Sequence, residues 1–270
     1  MKDIKQAILE VENSDIEKDL KKFMLDDMRS MPLDVKVDYN LRGWCIYKLH
    51  HTKLAVATIH NGHHVPPDID FYHTYEERRD WEDHDTGNLY KPLFLKLGGI
   101  FINVYVSRYF CDLNRTIKDA CFLHKAPLGT ERNFRPTEDE DLYKKSAAEF
   151  YHAFYEHVMP YLKQTNYLFS GHSMRPIMNG KTRKDFIVIF KDLSQATPFV
   201  DVLSNAGYSV SINEPFTYEG GNFRVYYDSL TQNKSIEFET NRKLYNDNFQ
   251  KTQSILAEKI SPLLSDLANL

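Results

Sequence analysis

Cysteine and tryptophan are scarce in this sequence, neither sign of charge dominates, and no long apolar run occurs. The three cysteines, Cys45, Cys111 and Cys121, cannot all pair, and none has a C-x-x-C spacing. A disulfide framework is therefore excluded, and buried, reduced thiols in a cytoplasmic protein are expected. Lysine and arginine total 34 against 38 acids, a formal net charge of -4. The lysines are scattered or paired with acids, and without a basic stripe a nucleic-acid partner is not expected. No stretch approaches the roughly 20 apolar residues needed to span a bilayer. The opening MKDIKQAILEVENSD is polar and amphipathic, without the apolar centre of a secretory signal, so neither secretion nor a membrane partner is expected.

What is present suits an ordinary globular α/β protein. Hydrophobic residues make up 42% and charged residues 27% of 270 residues, enough for a sizeable core. The 17 Tyr and 17 Phe favour a well-packed interior. With no repeat, linker or low-complexity tract, residues 1–270 are expected to form a single domain.

Apolar positions at helical spacing over residues 1–30 predict one or two helices packing one face inward. Short apolar runs at 54–59, 100–107, 167–170, 185–190, 208–212 and 235–239 have strand character. Between them lie helical patterns. One opens at Thr137 with Glu140 three residues on, a capping box, and runs to about Leu162, where Pro160 ends or kinks it. Others cover 194–207 and 246–270. Near-continuous apolar strands alternating with helices predict a mixed, mostly parallel central sheet with helices on both faces.

Ligands of such sheets bind beyond the carboxyl ends of the strands, and there this sequence places its polar clusters. His60-Asn61-Gly62-His63-His64 follows the first run, Arg108 and Asp112-Leu113-Asn114-Arg115 the second, and Gly171-His172-Ser173 the third. Glu237, Glu239 and Arg242 close the last. A catalytic zinc takes three ligands from His and carboxylate and leaves a place for water. His60 and His172, at the ends of two different strands and each near a glycine, are candidates for two of them. The third is open among Glu82, Asp83 and His63 on spacing alone, and the charged stretch 76–85 otherwise reads as a solvated loop. Gly62 and Gly171 let the backbone turn closely around an ion or substrate. Asn114 and Arg115 put an amide beside a guanidinium, a fork for a substrate carboxylate. Arg108 can support the same anion or polarise a carbonyl. Period-2 alternation sets Glu237 and Glu239 on one face of their strand. There a carboxylate can take a proton from an attacking water and return it to a leaving amine. Arg242, just past Glu239, is a candidate partner for them.

In order along the chain, TIHNGHHVPPDI, Glu82-Asp83-His84-Asp85-Thr86-Gly87, SRYFCDLNR, GHSM, NEPFTYEGG and EFETNRKLY resemble the motifs of the N-formylglutamate amidohydrolase family, over about residues 54–246. The resemblance implies a zinc-carboxypeptidase-like fold and a zinc ion held by His60, Glu82 and His172. It also implies Glu239 as general base assisted by Arg108, and a small carboxylate-bearing substrate held by Asn114 and Arg115 with Arg242 nearby. The reaction implied is hydrolysis of the amide of a small N-acyl amino acid such as N-formylglutamate. The chain departs from the family pattern in three places. Ser170-Gly171 replaces Asp-Leu before the histidine, the PFTYEGG loop is longer, and Glu237 stands where Gln is usual. Those departures keep two alternatives in view: the same chemistry on a peptide or other N-acyl amino acid, or a non-catalytic carboxylate- or partner-binding member.

Overall fold

Strands whose side chains are buried on both faces make up the centre of a nine-stranded sheet. The computed structural model describes residues 1–50, 53–66, 69, 82–120, 140–220, 222–231 and 234–268. β1 (Lys2–Asp3) leads into helices α1 (Ile4–Glu12) and α2 (Lys18–Arg29), followed by β2 (Lys36–Asn40), β3 (Trp44–Leu49) and β4 (Leu54–Thr58). Then come α3 (Thr86–Leu97), β5 (Gly99–Val104), the short α4 (Ile117–Ala120), α5 (Glu140–Leu162) and β6 (Tyr167–Met174). A small ribbon, β7 (Ile177–Met178) and β8 (Lys181–Thr182), precedes β9 (Phe186–Ile189), α6 (Thr197–Asn205) and β10 (Val210–Ile212). The chain ends with α7 (Asn222–Thr231), β11 (Lys234–Asn241), α8 (Arg242–Ile255) and α9 (Ser261–Ala268).

The strand order is β1-β2-β3-β5-β4-β6-β11-β9-β10. β5, β4, β6 and β11 run parallel to one another and form the core, while β2, β3 and β9 pair antiparallel on its flanks. Alternate residues feed opposite layers. Leu54 and Val56, Phe101, and Tyr167 and Phe169 face one core with α1, α2, α3, α6, α8 and α9. Ala55 and Ala57, Ile100 and Ile102, and Leu168 face the other with α5 and α7. Each fully buried Leu, Ile or Phe contributes on the order of 1.5–3 kcal/mol, so the two layers together fix the strand register. This is the mixed α/β sheet with two covered faces that the apolar runs predict.

The differences have local causes. β2, one strand in from the edge, alternates over only five mainly polar residues, and β3 (WCIYKL) has no alternation. α3 carries Pro92 within it, which interrupts its helical pattern, and the Asp85 ahead of it, at φ 63°, makes no side-chain cap. The last helical stretch opens earlier than predicted, at Arg242, with Asn241 accepting from the Lys243 amide, and is kinked at the non-helical Asn248 (φ -157°, ψ 93°). It passes through a π-turn at Leu256–Ile260 just ahead of Pro262, whose missing N–H breaks the regular ladder. The capping box at Thr137 lies outside the described residues. Cys45 and Cys111 are buried and unbridged, and burial pushes the Cys45 thiol up to about 12; Cys121 lies outside the described residues. Among the described residues no helix is long and apolar enough to cross a membrane.

Candidate metal centre

Four strand ends converge at one edge of the parallel core. β4 runs into His60, β6 carries His172, β11 carries Glu237 and Glu239, and the segment after β5 supplies Arg108, Asp112, Asn114 and Arg115. The register sets Glu239 directly beside His172 and Glu237 beside Ser170. Tyr90 of α3 braces these two strands, its hydroxyl donating to the His172 carbonyl (2.8 Å) and lying 2.7 Å from Thr240 Oγ1. α5 braces the segment after β5. Tyr143, Tyr151 and Tyr155 share one helical face, and their hydroxyls donate to the carbonyls of Phe110 (2.9 Å), Arg115 (3.1 Å) and Leu113 (2.7 Å).

His60, Asp83 and His172 form a buried group whose donor atoms all lie within 4.8 Å of one another. Asp83 Oδ2 is 2.9 Å from His172 Nδ1 and 3.3 Å from His60 Nδ1. The far nitrogens are already engaged. His60 Nε2 lies 2.7 Å from Asp112 Oδ1, an acceptor-only carboxylate, so Nε2 carries a hydrogen, and Nδ1 faces the centre. Ser170 Oγ stands 3.0 Å from His172 Nε2, in the place of the acid that the sequence lacks there. Two imidazole Nδ1 atoms and a carboxylate oxygen thus meet at one point, where ring N–H groups donate to Asp83 and a metal cation can take the place of their protons. Two nitrogens and one oxygen, all buried, are a donor set that zinc accepts with a position to spare.

The surrounding charges favour a cation as well. Burial opposes ionisation of Asp83, but hydrogen bonds from His172 and His60 hold its carboxyl well below the usual range. Burial also opposes protonation of His172, yet Glu237 and Asp83 raise it to about 9. Asp112 is likewise held low against burial by Arg108 and His60. Arg108 Nη2 lies 2.6 Å from Asp112 Oδ2, and its Nη1 is 3.8 Å from Asp83 Oδ1.

Glu237 and Glu239, both buried on the same face, differ sharply. Glu237 Oε2 accepts from Asn114 Nδ2 at 3.2 Å and lies 3.6 Å from the Nε of the fully buried Arg224. Its carboxyl stays below the ordinary value despite burial, chiefly through His172 and Arg224. Glu239 Oε2 is buried without a hydrogen-bond partner. Burial raises its carboxyl to about 8, with Asp83 and Glu237 adding to the rise against the pull of His172. A carboxylate with a free oxygen and a value near neutrality is equipped to exchange protons.

His60, Asp83, His172, Arg108, Glu237 and Glu239 line a cavity of about 250 Å³ with Arg115, Ser173, Arg175, Arg183, Phe216 and Arg242. Of the residues singled out in the sequence, His60, His172, Arg108, Asn114, Arg115, Glu239 and Arg242 reach it together. Glu82 does not. Its carboxylate is fully buried against His63 Nδ1 (2.6 Å) and the Ser107 hydroxyl, and its neighbour Asp83 joins the two histidines instead. His63 is occupied in the same pairing, away from the centre. The reading of 82–83 as solvated charge is therefore corrected, since both are buried; 76–81 lie outside the described residues. Arg242 donates to the Glu82 carbonyl at 2.6 Å and to Ser173 Oγ at 3.3 Å, which ties it to the loop that carries Asp83. Asn114 divides its amide between Glu237 and the Phe223 amide of α7, whose hydrogen it accepts at 3.2 Å. The two glycines serve packing rather than a ligand. A Cβ on Gly62 would sit 1.9 Å from the Tyr105 backbone, and one on Gly171 2.4 Å from the Tyr90 ring. The contact of Asp112 with His60 was not read from the sequence; its place at the head of D-L-N-R, just past a strand, was the available signal.

Residues 52–246 match the profile of the N-formylglutamate amidohydrolase family. No curated protein matches the sequence. Among solved structures, the N-formylglutamate amidohydrolase of Ralstonia eutropha JMP134 superposes with a TM-score of 0.63 at 18% identity, covering 84% of this chain and 97% of that one. A gene product of Agrobacterium tumefaciens gives 0.63 at 16% identity, over 84% and 93% of the two chains. Bovine thrombin-activatable fibrinolysis inhibitor, solved with a tick carboxypeptidase inhibitor, gives 0.54 at 12% identity over 96% and 99%. These likenesses establish a carboxypeptidase-like α/β fold. The family match covers well over half of the sequence, and on that ground the chain belongs to the N-formylglutamate amidohydrolase family.

Proposed function

We propose that this protein is a zinc-dependent hydrolase of the amide bond in N-formylglutamate, with residues 1–270 acting as one domain. The observation that carries the reading is the meeting, in one small cavity, of the His60–Asp83–His172 group with the partnerless oxygen of Glu239. His60 Nδ1, His172 Nδ1 and Asp83 would hold the metal. When bound, zinc supplies Lewis acidity, polarising a carbonyl and lowering the pKa of water toward about 7.

The chain's own residues account for the rest. Arg115, with Asn114, takes the α-carboxylate in a planar fork and sets the scissile amide over the metal group. Glu239 accepts a proton from the attacking water as the new C–O bond forms. Arg108, anchored on Asp112, offers a guanidinium to the charge that develops on the carbonyl oxygen. As the C–N bond breaks, Glu239 returns its proton to the departing nitrogen, leaving formate and glutamate. Asp112 and Ser170 keep the imidazoles in the orientation that this requires. The cavity is at or below the small end of ordinary ligand pockets, roughly 300–1,000 Å³, which favours an amino-acid derivative over a long peptide.

The test is formate release from N-formylglutamate by protein supplied with zinc, beside Glu239→Gln. Turnover by the parent and its loss in the variant are expected; undiminished turnover in Glu239→Gln would remove the assigned base. A second reading, the same chemistry on another N-acyl amino acid, draws support from Pro215, Phe216 and Thr217, which bring the lengthened loop to the cavity wall. A panel of N-acyl amino acids at fixed zinc separates the two.

A further inference from the structure

The cavity contains a cation that the mechanism above does not use. Arg183 stands just ahead of β9. Because β9 runs antiparallel to β11, its beginning lies at the edge where the parallel strands end, and Asn241 Nδ2 donates to the Arg183 carbonyl there at 3.4 Å. The guanidinium carbon lies 4.9 Å from the ring centre of Phe216. Phe216 is itself held on a small apolar cluster of Met174, Ile187 and Ile189. The arginine is thus stacked in place rather than waving in solvent.

Other cations at this edge of the sheet are committed. Arg108 is paired with Asp112, Arg224 lies against Glu237, and Arg242 is bonded to the Glu82 carbonyl. Among the described residues no carboxylate lies within ion-pair distance of Arg183, and its buried Nε has no hydrogen-bond partner. Burial, with Arg175 and Arg242 nearby, weakens its hold on its proton, and Glu239 only partly offsets this. A half-buried guanidinium of this kind gains from an anion that the chain itself does not provide.

We propose that Arg183, stacked on Phe216, receives the side-chain carboxylate of a dicarboxylic substrate, so that this wall of the cavity selects acidic over neutral amino-acid derivatives. The inference rests on the amidohydrolase reading for the placement of the α-carboxylate at Asn114 and Arg115. Strand order supports it. The α-carboxylate site follows β5 and Arg183 precedes β9, with β4, β6 and β11 between them. Four strand spacings of about 4.8 Å amount to roughly 19 Å, a gap that arginine side chains narrow from both sides. What is left between two guanidiniums suits a molecule with carboxylates at both ends, its amide lying over the metal group.

The experiment measures calorimetric dissociation constants of L-glutamate and L-glutamine for the zinc-supplied parent, Arg183→Met and Arg183→Lys. It adds kcat/KM for the N-formyl derivatives of both amino acids. The two amino acids share a shape and differ by one charge. The parent is expected to favour glutamate by on the order of 10- to 100-fold. Arg183→Met abolishes the preference, mainly through KM and without lowering kcat for the glutamine derivative, and Arg183→Lys restores part of it. Glutamate preference without hydrolysis, lost in Arg183→Met, would sustain this inference while removing the proposed function. A parent that does not prefer glutamate would overturn the inference, whatever the hydrolysis result. So would an unchanged preference in Arg183→Met, or an equal loss for both amino acids, which would mean that Arg183 only balances the charge of Glu239.

Discussion

Two carboxylates deep in this molecule have opposite surroundings. Asp27, on α2, is saturated. Lys91 Nζ lies 2.7 Å from its Oδ1, while Tyr47, Tyr105 and Asn103 donate to its Oδ2 at 2.8, 2.5 and 2.9 Å. Lys91 in turn donates to Ser30 Oγ and Asn88 Oδ1, so the whole network is satisfied within the fold. Glu239 is equally buried, but one oxygen has no partner and its nearest charges include Asp83 and Glu237. The first arrangement joins α2, α3, β3 and β5. The second leaves a proton acceptor in a high-energy setting beside two histidines. A buried acid with every lone pair answered is there for the fold; one left unanswered in a cavity is there for a reaction or a ligand.

The contrast can be broken by exchanging outcomes between the two sites. Glu239→Gln is expected to lower turnover of N-formylglutamate by about 10²–10⁴-fold while the protein melts no earlier than the parent, because the group removed was unpaired. A large fall in melting temperature would show that Glu239 also serves the fold. Asp27→Ala is expected to do the reverse, costing about 3–5 kcal/mol in denaturant unfolding by stranding Lys91, with near-parental kcat in the molecules that remain folded. Loss of activity at full stability would erase the distinction. Asp112→Asn tests a group between these extremes, a buried acid that acts through a histidine. Its expected effect is a 10- to 100-fold weaker affinity for zinc, read by competition with a chelating dye, and an unchanged affinity would deny it the orienting role.

The smallest effect concerns pH. Burial works against ionisation of Asp38, but hydrogen bonds from Tyr161 and His157 outweigh it and keep the carboxyl below its ordinary value. A group depressed in the folded state stabilises above the ordinary carboxylate range, and that stability is lost as pH falls through the lowered value. Asp38→Asn should therefore flatten the acid side of a melting-temperature profile between about pH 6 and pH 3, with little change near neutrality. A profile parallel to the parent's would show that the pair contributes nothing.

Much of the site was visible in the sequence because it sits where strands end. His60, His172 and Glu239 each close a recognisable apolar run, and parallel strands deliver their ends to one edge. Glu82 and Asp83 lie in an irregular segment, where no period says which of two adjacent acids turns inward. Only the pairing of Glu82 with His63 and Ser107 decides for Asp83. The same limit hid α3, whose helical pattern Pro92 interrupts. Arg183 stayed out of view because its importance depends on the antiparallel course of β9, a property of topology rather than of local sequence.

The measurement that tests the metal centre most directly is the zinc content of the purified protein beside that of His60→Ala/His172→Ala and Glu239→Gln. The account predicts roughly one zinc per chain in the parent, the same in Glu239→Gln, and none in the double histidine variant. A parent that takes up no transition metal even when zinc is supplied, or a double variant that still binds it fully, would contradict the account.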